Sequence, residues 1–166
     1  MADVGSFDRA RKEAEVFSRL TFLVVDDNRA VRMHIRGVLN SFKIQNILEA
    51  GDAGTALMTL KSHEVHVVLL DKEMPLMDGI EMTKLVRRGG EGITNTEVPI
   101  IVVTGHSDQA TVVAALKAGI HDFLAKPFSP DQLMTRIRAA VFNPPPFLRT
   151  ANYIGPDRRP KPTAAP

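Results

Sequence analysis

The chain has 166 residues, no cysteine and a formal charge of +2, so it holds material for one ordinary domain and no disulfide scaffold. Residues 143–166 carry Arg149, Arg158, Arg159 and Lys161 against Asp157; that surplus of +3 leaves −1 for the rest, so no basic domain face points to nucleic acid. No apolar run approaches the roughly 18 residues of a membrane span, and the charged start MADVGSFDRARKEAEVF lacks a secretory apolar stretch, so the expectation is a cytoplasmic protein without a membrane partner.

Residues 7–20 read as an amphipathic helix. Phe7, Ala10, Ala14, Phe17 and Leu20 recur at spacings of three and four, with Arg9, Arg11, Lys12, Glu13 and Glu15 on the wet side. Such a face packs on the domain or joins two copies into a homodimer. TFLVVDD (21–27) is a continuous apolar run ending in acids, a buried strand. Residues 28–41 show Val31, Ile35, Val38 and Leu39 at helical spacing, with Phe42 following. IQNILEA (44–50) is a second strand and AGTALMTLKS (53–62) a short helix. VHVVLLD (65–71) is a third strand, again closed by an acid. IEMTKLVRR (80–88) is helical and stops at Gly89-Gly90. PIIVVTG (99–105) is the fourth strand, SDQATVVAALKAG (107–119) a helix closed by Gly119, and HDFLA (121–125) the fifth strand. SPDQLMTRIRAAVF (129–142) is the last helix, with Ser129 as N-cap and Pro130 in its first turn.

Strands alternating with helices predict an α/β fold with a parallel sheet covered on both faces. The first, third and fourth strands are the most uniformly apolar and should be central. The domain should span 21–142, with residues 1–20 as a helical extension. Residues 143–166 hold seven of the eleven prolines, which rules out a helix or central strand. Four sizeable apolar side chains there face the backbone entropy of 24 residues, so the tail is expected to be mostly mobile. Phe147 and Tyr153 among prolines suggest, at most, a docking strand.

Ligands in open α/β sheets bind beyond the carboxyl ends of the strands. Asp26, Asp27, Asp71, Thr104 and Lys126 all sit at or just after such ends. Three carboxylates brought together repel unless one protonates or a cation intervenes. A hard divalent ion such as Mg²⁺, which takes oxygen ligands and bridges carboxylates to phosphate, resolves the conflict. Helix capping by Asp27 accounts for one acid, not three. Asp71, at the end of a buried strand, suits a nucleophile that forms an aspartyl phosphate. Thr104 and Lys126 offer a hydroxyl and a fixed charge to phosphoryl oxygens.

VVDDN (24–28), LLDKEMPLMDG (69–79), VVTG (102–105) and FLAKPF (123–128), in this order and separation, resemble the receiver domains of two-component response regulators over residues 20–142. The resemblance implies a flavodoxin-like, doubly wound sheet of order 2-1-3-4-5, here with an added N-terminal helix and a Pro-rich tail. It implies that Asp26 and Asp27 are the Mg²⁺-binding pair, joined by Asp71 and the backbone carbonyl of Glu73. Asp71 would be the phosphoacceptor, Thr104 the switch hydroxyl, Lys126 the phosphate-binding lysine, Phe123 the switch aromatic, and Lys126-Pro127 a cis peptide. It also implies a single-domain regulator that takes phosphate from a histidine kinase or histidine phosphotransfer protein. A changed surface of the fourth helix, fifth strand and fifth helix of the receiver would then act on a downstream protein target. Glu73 and His106 overhang the site and should govern access of the hydrolytic water.

A different class, an aspartyl-phosphate phosphohydrolase, typically has a second Asp two positions after its nucleophile as acid/base; here Glu73 stands there. His63 and His66 lack the spacing of a helical zinc motif. Nothing after residue 142 can form a recognition helix, so specific DNA binding is not expected.

Overall fold

The computed structural model describes residues 4–160. Its elements run α1 (Val4–Arg19), β1 (Thr21–Val25), α2 (Arg29–Ser41), β2 (Asn46–Ala50), α3 (Ala53–Ser62), β3 (Val67–Leu70), α4 (Gly79–Arg88), a short 3-10 turn (Gly90–Gly92), β4 (Ile100–Thr104), α5 (Gln109–Ala118), β5 (Asp122–Ala125), α6 (Pro130–Phe142), β6 (Phe147–Arg149) and β7 (Ile154–Pro156). Strands β1–β5 form one parallel sheet in the order β2-β1-β3-β4-β5. The apolar strands β1, β3 and β4 are central, and the edges β2 and β5 are only partly covered.

Alternation along each strand divides the core into two layers. Leu23, Val25, Val68, Leu70, Ile100 and Val102 face α3, α4 and α5. Phe22, Val24, Val67, Leu69, Ile101 and Val103 face α2 and α6. Helix starts follow local chemistry. Asn28, Asp52, Asp78, Asp108 and Ser129 each accept a backbone N–H of the first turn, and Asp78–Glu81 and Ser129–Gln132 form reciprocal capping boxes.

Only part of the expected face of α1 is buried. Phe17 is 1% exposed, 5.5 Å from the Phe142 ring, and Glu13 pairs with Arg138 of α6 at 2.7 Å. Phe7 stays outside at 67% exposure. The contacts that seat the helix on the domain come from its C-terminal half, through Glu13 and Phe17.

Part of the segment expected to be mobile has regular structure among the described residues after Phe142. Residues 147–149 and 154–156 pair as an antiparallel hairpin around Ala151-Asn152, while residues 161–166 lie outside the described part. Apolar anchors alone leave the balance against backbone entropy unfavourable. The chain adds polar ones. Arg158 donates to the carbonyls of Ile120 and His121, at 2.5 and 2.8 Å. Asp157 N–H donates to Pro146 O, and the Tyr153 hydroxyl to Pro156 O. Phe147 lies 5.2 Å from the guanidinium carbon of Arg87, a desolvated cation–π contact. Prolines also lower the entropy that ordering must remove.

Two glycines permit this docking. Gly119 ends α5 at φ +100, and a Cβ there would stand 2.2 Å from Ile154 O; the Cβ of residue 155 would meet Gly119 Cα at 2.6 Å. His121, buried beside Arg87 and Arg158, has its pKa pushed down to about 3, first by burial and then by the two cations, so its ring is neutral there. We expect Gly119→Ala to destabilise the full chain by more than the ~1–2 kcal/mol that left-handed backbone costs a residue with a Cβ. In a chain ending at Phe142 the clash with Ile154 should vanish, leaving the backbone cost and the close approach to Arg87 at 3.2 Å. Urea unfolding of the four proteins tests this: equal costs in both backgrounds mean that the hairpin does not press on Gly119.

Candidate functional site

Because all five strands run the same way, their carboxyl ends share one edge of the sheet, and backbone bonds fix each. Asp26 N–H donates to Ala50 O, Asp71 N–H to Val25 O and Lys126 N–H to Thr104 O. The acids lie just past the strands rather than in them: β1 ends at Val25 and β3 at Leu70. The apolar runs end at Val25 and Leu70, and the next residue, Asp26 or Asp71, leaves the strand while staying buried.

Asp26, Asp27 and Asp71 bring one carboxylate oxygen each to within 4.8 Å of one another. Asp26 and Asp71 are buried and Asp27 is exposed. Asp26 accepts Asn28 N–H at 2.8 Å and the Lys126 ammonium at 2.8 Å, and the same ammonium is 3.7 Å from Asp71. Asn28, not Asp27, caps α2, so Asp27 is left for the site. Three hard oxygen donors with one exposed edge suit Mg²⁺ or a similar ion.

Asp71 has its pKa raised, chiefly by burial, against the pull of Lys126. Asp26 adds to the rise; the Glu73 N–H and the Thr104 side chain oppose it by hydrogen bonding. Thr104 is 1% exposed at the end of β4, and its hydroxyl oxygen accepts the His106 N–H at 3.3 Å. Phe123, paired in register with Val102, packs half-buried against the α3–α5 layer. The Lys126-Pro127 peptide is cis. His106 Nδ1 and Glu73 Oε1 are 3.1 Å apart, joining the β3–α4 and β4–α5 loops, and both side chains are more than half exposed. Beside the acids opens a cleft of about 440 Å³ lined by Asp27, Lys72, Glu73, Met74, Pro75 and Asp78. All the expected site residues therefore converge on one edge, except Phe123, which packs beneath it.

Two supports escaped the sequence reading. Arg32 donates to the Asp26 carbonyl at 2.7 Å and lies 3.3 Å from Glu49 of β2, tying the acidic loop to α2 and the sheet. Its distance from Glu49 in sequence hides the pair. Gly79 starts α4 so close to Asp71 that a Cβ would stand 2.4 Å from the Asp71 carbonyl oxygen. The turn signal Asp78-Gly79 was legible, but not what the glycine approaches.

The sequence profile described as the response regulator receiver domain matches residues 22–138. The curated protein named Response regulator MprA from Mycobacterium sp. (strain KMS) is 37% identical over 135 residues, covering 81% of this chain and 54% of that protein. Its namesake from Mycolicibacterium vanbaalenii is 39% identical over 119 residues, 72% of this chain and 49% of the other. This chain thus spans about half the length of the curated relatives it matches. Among solved structures, the receiver domain of a sensor histidine kinase from Pseudomonas aeruginosa, with a magnesium ion coordinated in its active-site cleft, aligns with a TM-score of 0.64 at 28% identity, covering 72% of this chain and 94% of that one. The Vibrio cholerae chemotaxis protein CheY4 shares the fold, with a TM-score of 0.66 at 24% identity over 74% of this chain and 98% of that one. Among the described residues no helix is long and apolar enough to cross a membrane.

A carboxyl whose pKa is higher folded than unfolded favours folding only while protonated. That contribution is complete below the unfolded value and is lost as pH rises through the folded one. Ionised Asp71 thus costs stability at neutral pH. Asp71→Asn should raise the midpoint of thermal unfolding at pH 7 without divalent ions. The gain should shrink as pH falls through the raised Asp71 value and be gone below the ordinary carboxylate range; a gain that persists unchanged in acid points to packing instead.

Proposed function

This chain belongs to the response-regulator receiver family of two-component systems, and on that premise we propose that it accepts a phosphoryl group on Asp71 and so changes its affinity for a protein partner. The observation that carries this reading is the buried Asp71 carboxylate beside Asp26, Asp27 and the Lys126 ammonium. The donor is a phosphohistidine on a histidine kinase or phosphotransfer protein. An Asp71 oxygen attacks phosphorus, the P–N bond breaks, and the imidazole nitrogen leaves with the bonding pair and takes up a proton. Mg²⁺ held by Asp26, Asp27, Asp71 and the Glu73 carbonyl would neutralise charge on the transferred phosphoryl oxygens.

Asp71, fixed at the end of β3, needs no search for its attack geometry. Lys126 lies close enough to Asp71 to exchange part of its contact with Asp26 for a phosphoryl oxygen. The Thr104 hydroxyl turns toward the same oxygens, and the space it leaves admits Phe123. This shifts the population of the α5–β5–α6 surface, the face through which a downstream protein target is read. The competing assignment, an enzyme that hydrolyses small phosphate esters, calls for a second Asp two positions after its nucleophile, where Glu73 stands, 3.1 Å from His106.

Incubation with Mg²⁺ and acetyl phosphate should yield one acid-stable, base-labile acyl phosphate, seen as a single mass increment and absent from Asp71→Asn. Label retained in that variant would move the acceptor elsewhere. Separately, the Glu73–His106 bridge should obstruct the hydrolytic water. Replacing both residues with Ala should change the rate of phosphate loss at least threefold, about 0.65 kcal/mol in barrier height. A rate unchanged in the double variant removes the bridge from the mechanism.

A further inference from the structure

Helices that follow parallel strands run back across the sheet, so their C-termini lie at the edge opposite Asp71. There the ends of α4 and α5 and the hairpin turn border a half-open cavity of about 210 Å³, with Lys84, Arg88 and Lys117 exposed at its rim. Lys84, Arg87 and Arg88 of α4 and Lys117 of α5 line it, with Asn152 and Tyr153 closing it from the hairpin; no carboxylate does. Arg87 is 1% exposed, and its guanidinium donates to the carbonyls of Gly119, Thr96 and Val98 at 2.8–2.9 Å. Carbonyls satisfy its donors without neutralising its charge. Among the described residues none of these four cations makes an ion pair with a carboxylate within 4.0 Å.

Cations in a last turn complement a helix dipole, which accounts for the position of Arg87, Arg88 and Lys117 in the sequence. It does not account for Lys84, one turn earlier, turning to the same cavity. Two helix ends supply at most about half a negative charge each, and here both are already closed by the left-handed caps at Gly89 and Gly119. Four full positive charges outweigh them. The cavity is smaller than the roughly 300–1,000 Å³ of sites that enclose a whole small molecule, so it suits an end group. Lys and Arg together favour phosphate oxygens.

We propose that this cavity binds the phosphate-bearing end of a small anion, with Lys84, Arg88 and Lys117 on its oxygens and Arg87 supplying fixed charge from behind. The site exists only because the hairpin docks, and it is separate from the acceptor edge.

Tyr153 is the only tyrosine and the chain has no tryptophan, so intrinsic fluorescence reports from the cavity wall. The full chain is titrated with pyrophosphate at constant ionic strength, with divalent ions chelated. A saturable change is expected, matched by no response to chloride. Lys84→Glu with Lys117→Glu should weaken binding at least tenfold. Arg9→Glu with Arg11→Glu, the same charge change on α1, should leave it within threefold, as should Asp71→Asn, which disables the acceptor. Adenosine diphosphate binding as tightly as pyrophosphate identifies the end group of a larger molecule; binding of pyrophosphate alone identifies free phosphate anions. Equal weakening by the two charge-reversed pairs, or a response that follows ionic strength rather than the anion, overturns the site.

Discussion

One ammonium group shared between two buried carboxylates governs the acidic edge of the sheet. Lys126 touches Asp26 at 2.8 Å and stands 3.7 Å from Asp71. Without it the edge would hold three acids within 4.8 Å and no fixed cation, an arrangement that costs free energy in proportion to its burial. With it, the carboxylates are held apart from one another yet near enough to share a cation. In the function proposed above, the same ammonium would serve a phosphoryl group. Its reach from β5 across to β1 is a property of the parallel sheet, whose strand ends meet on one edge. The capping boxes, the Gly79 contact and the Arg32 bond to Asp26 all hold that edge in place.

The opposite edge is organised by the other sign. Arg87 is a buried cation satisfied by three carbonyls and the Phe147 ring. The hairpin that supplies this ring also clamps the carbonyls that open β5. Phe123 follows two residues after the clamp. The hairpin thus holds the start of the strand whose end carries Lys126, and joins the two edges through a single short strand. Burial of His121 in its neutral form between two arginines fits the same economy: any further charge at that point would be positive and unpaired.

The sequence by itself determined the alternation of elements, the fold class and the edge at which Asp26, Asp27 and Asp71 gather. Apolar runs such as VVLL admit only a strand covered on both faces, and the acids that close those runs fall at strand ends whatever the details of packing. The central place of β1, β3 and β4 was legible for the same reason, as was the cap at Ser129. Strand limits were read one or two residues too long at one or both ends; at Asp26-Asp27 and Asp71 the reason is that an acid adjoining an apolar run reads as part of it until the turn is seen.

Tertiary structure alone decided the rest. Phe7 and Phe17 share one periodic face, but only Phe17 finds α6 beneath it. Arg32 and Glu49 are a pair only because α2 crosses the β2 edge. The hairpin was illegible because its stability does not reside in its own apolar residues. It rests on Gly119, on the Ile120 and His121 carbonyls and on Arg87, groups more than 20 residues away in the chain whose availability depends on how α4, α5 and β5 meet. Local pattern reports what a segment can bury; only the assembled sheet reports what it has been given to bind.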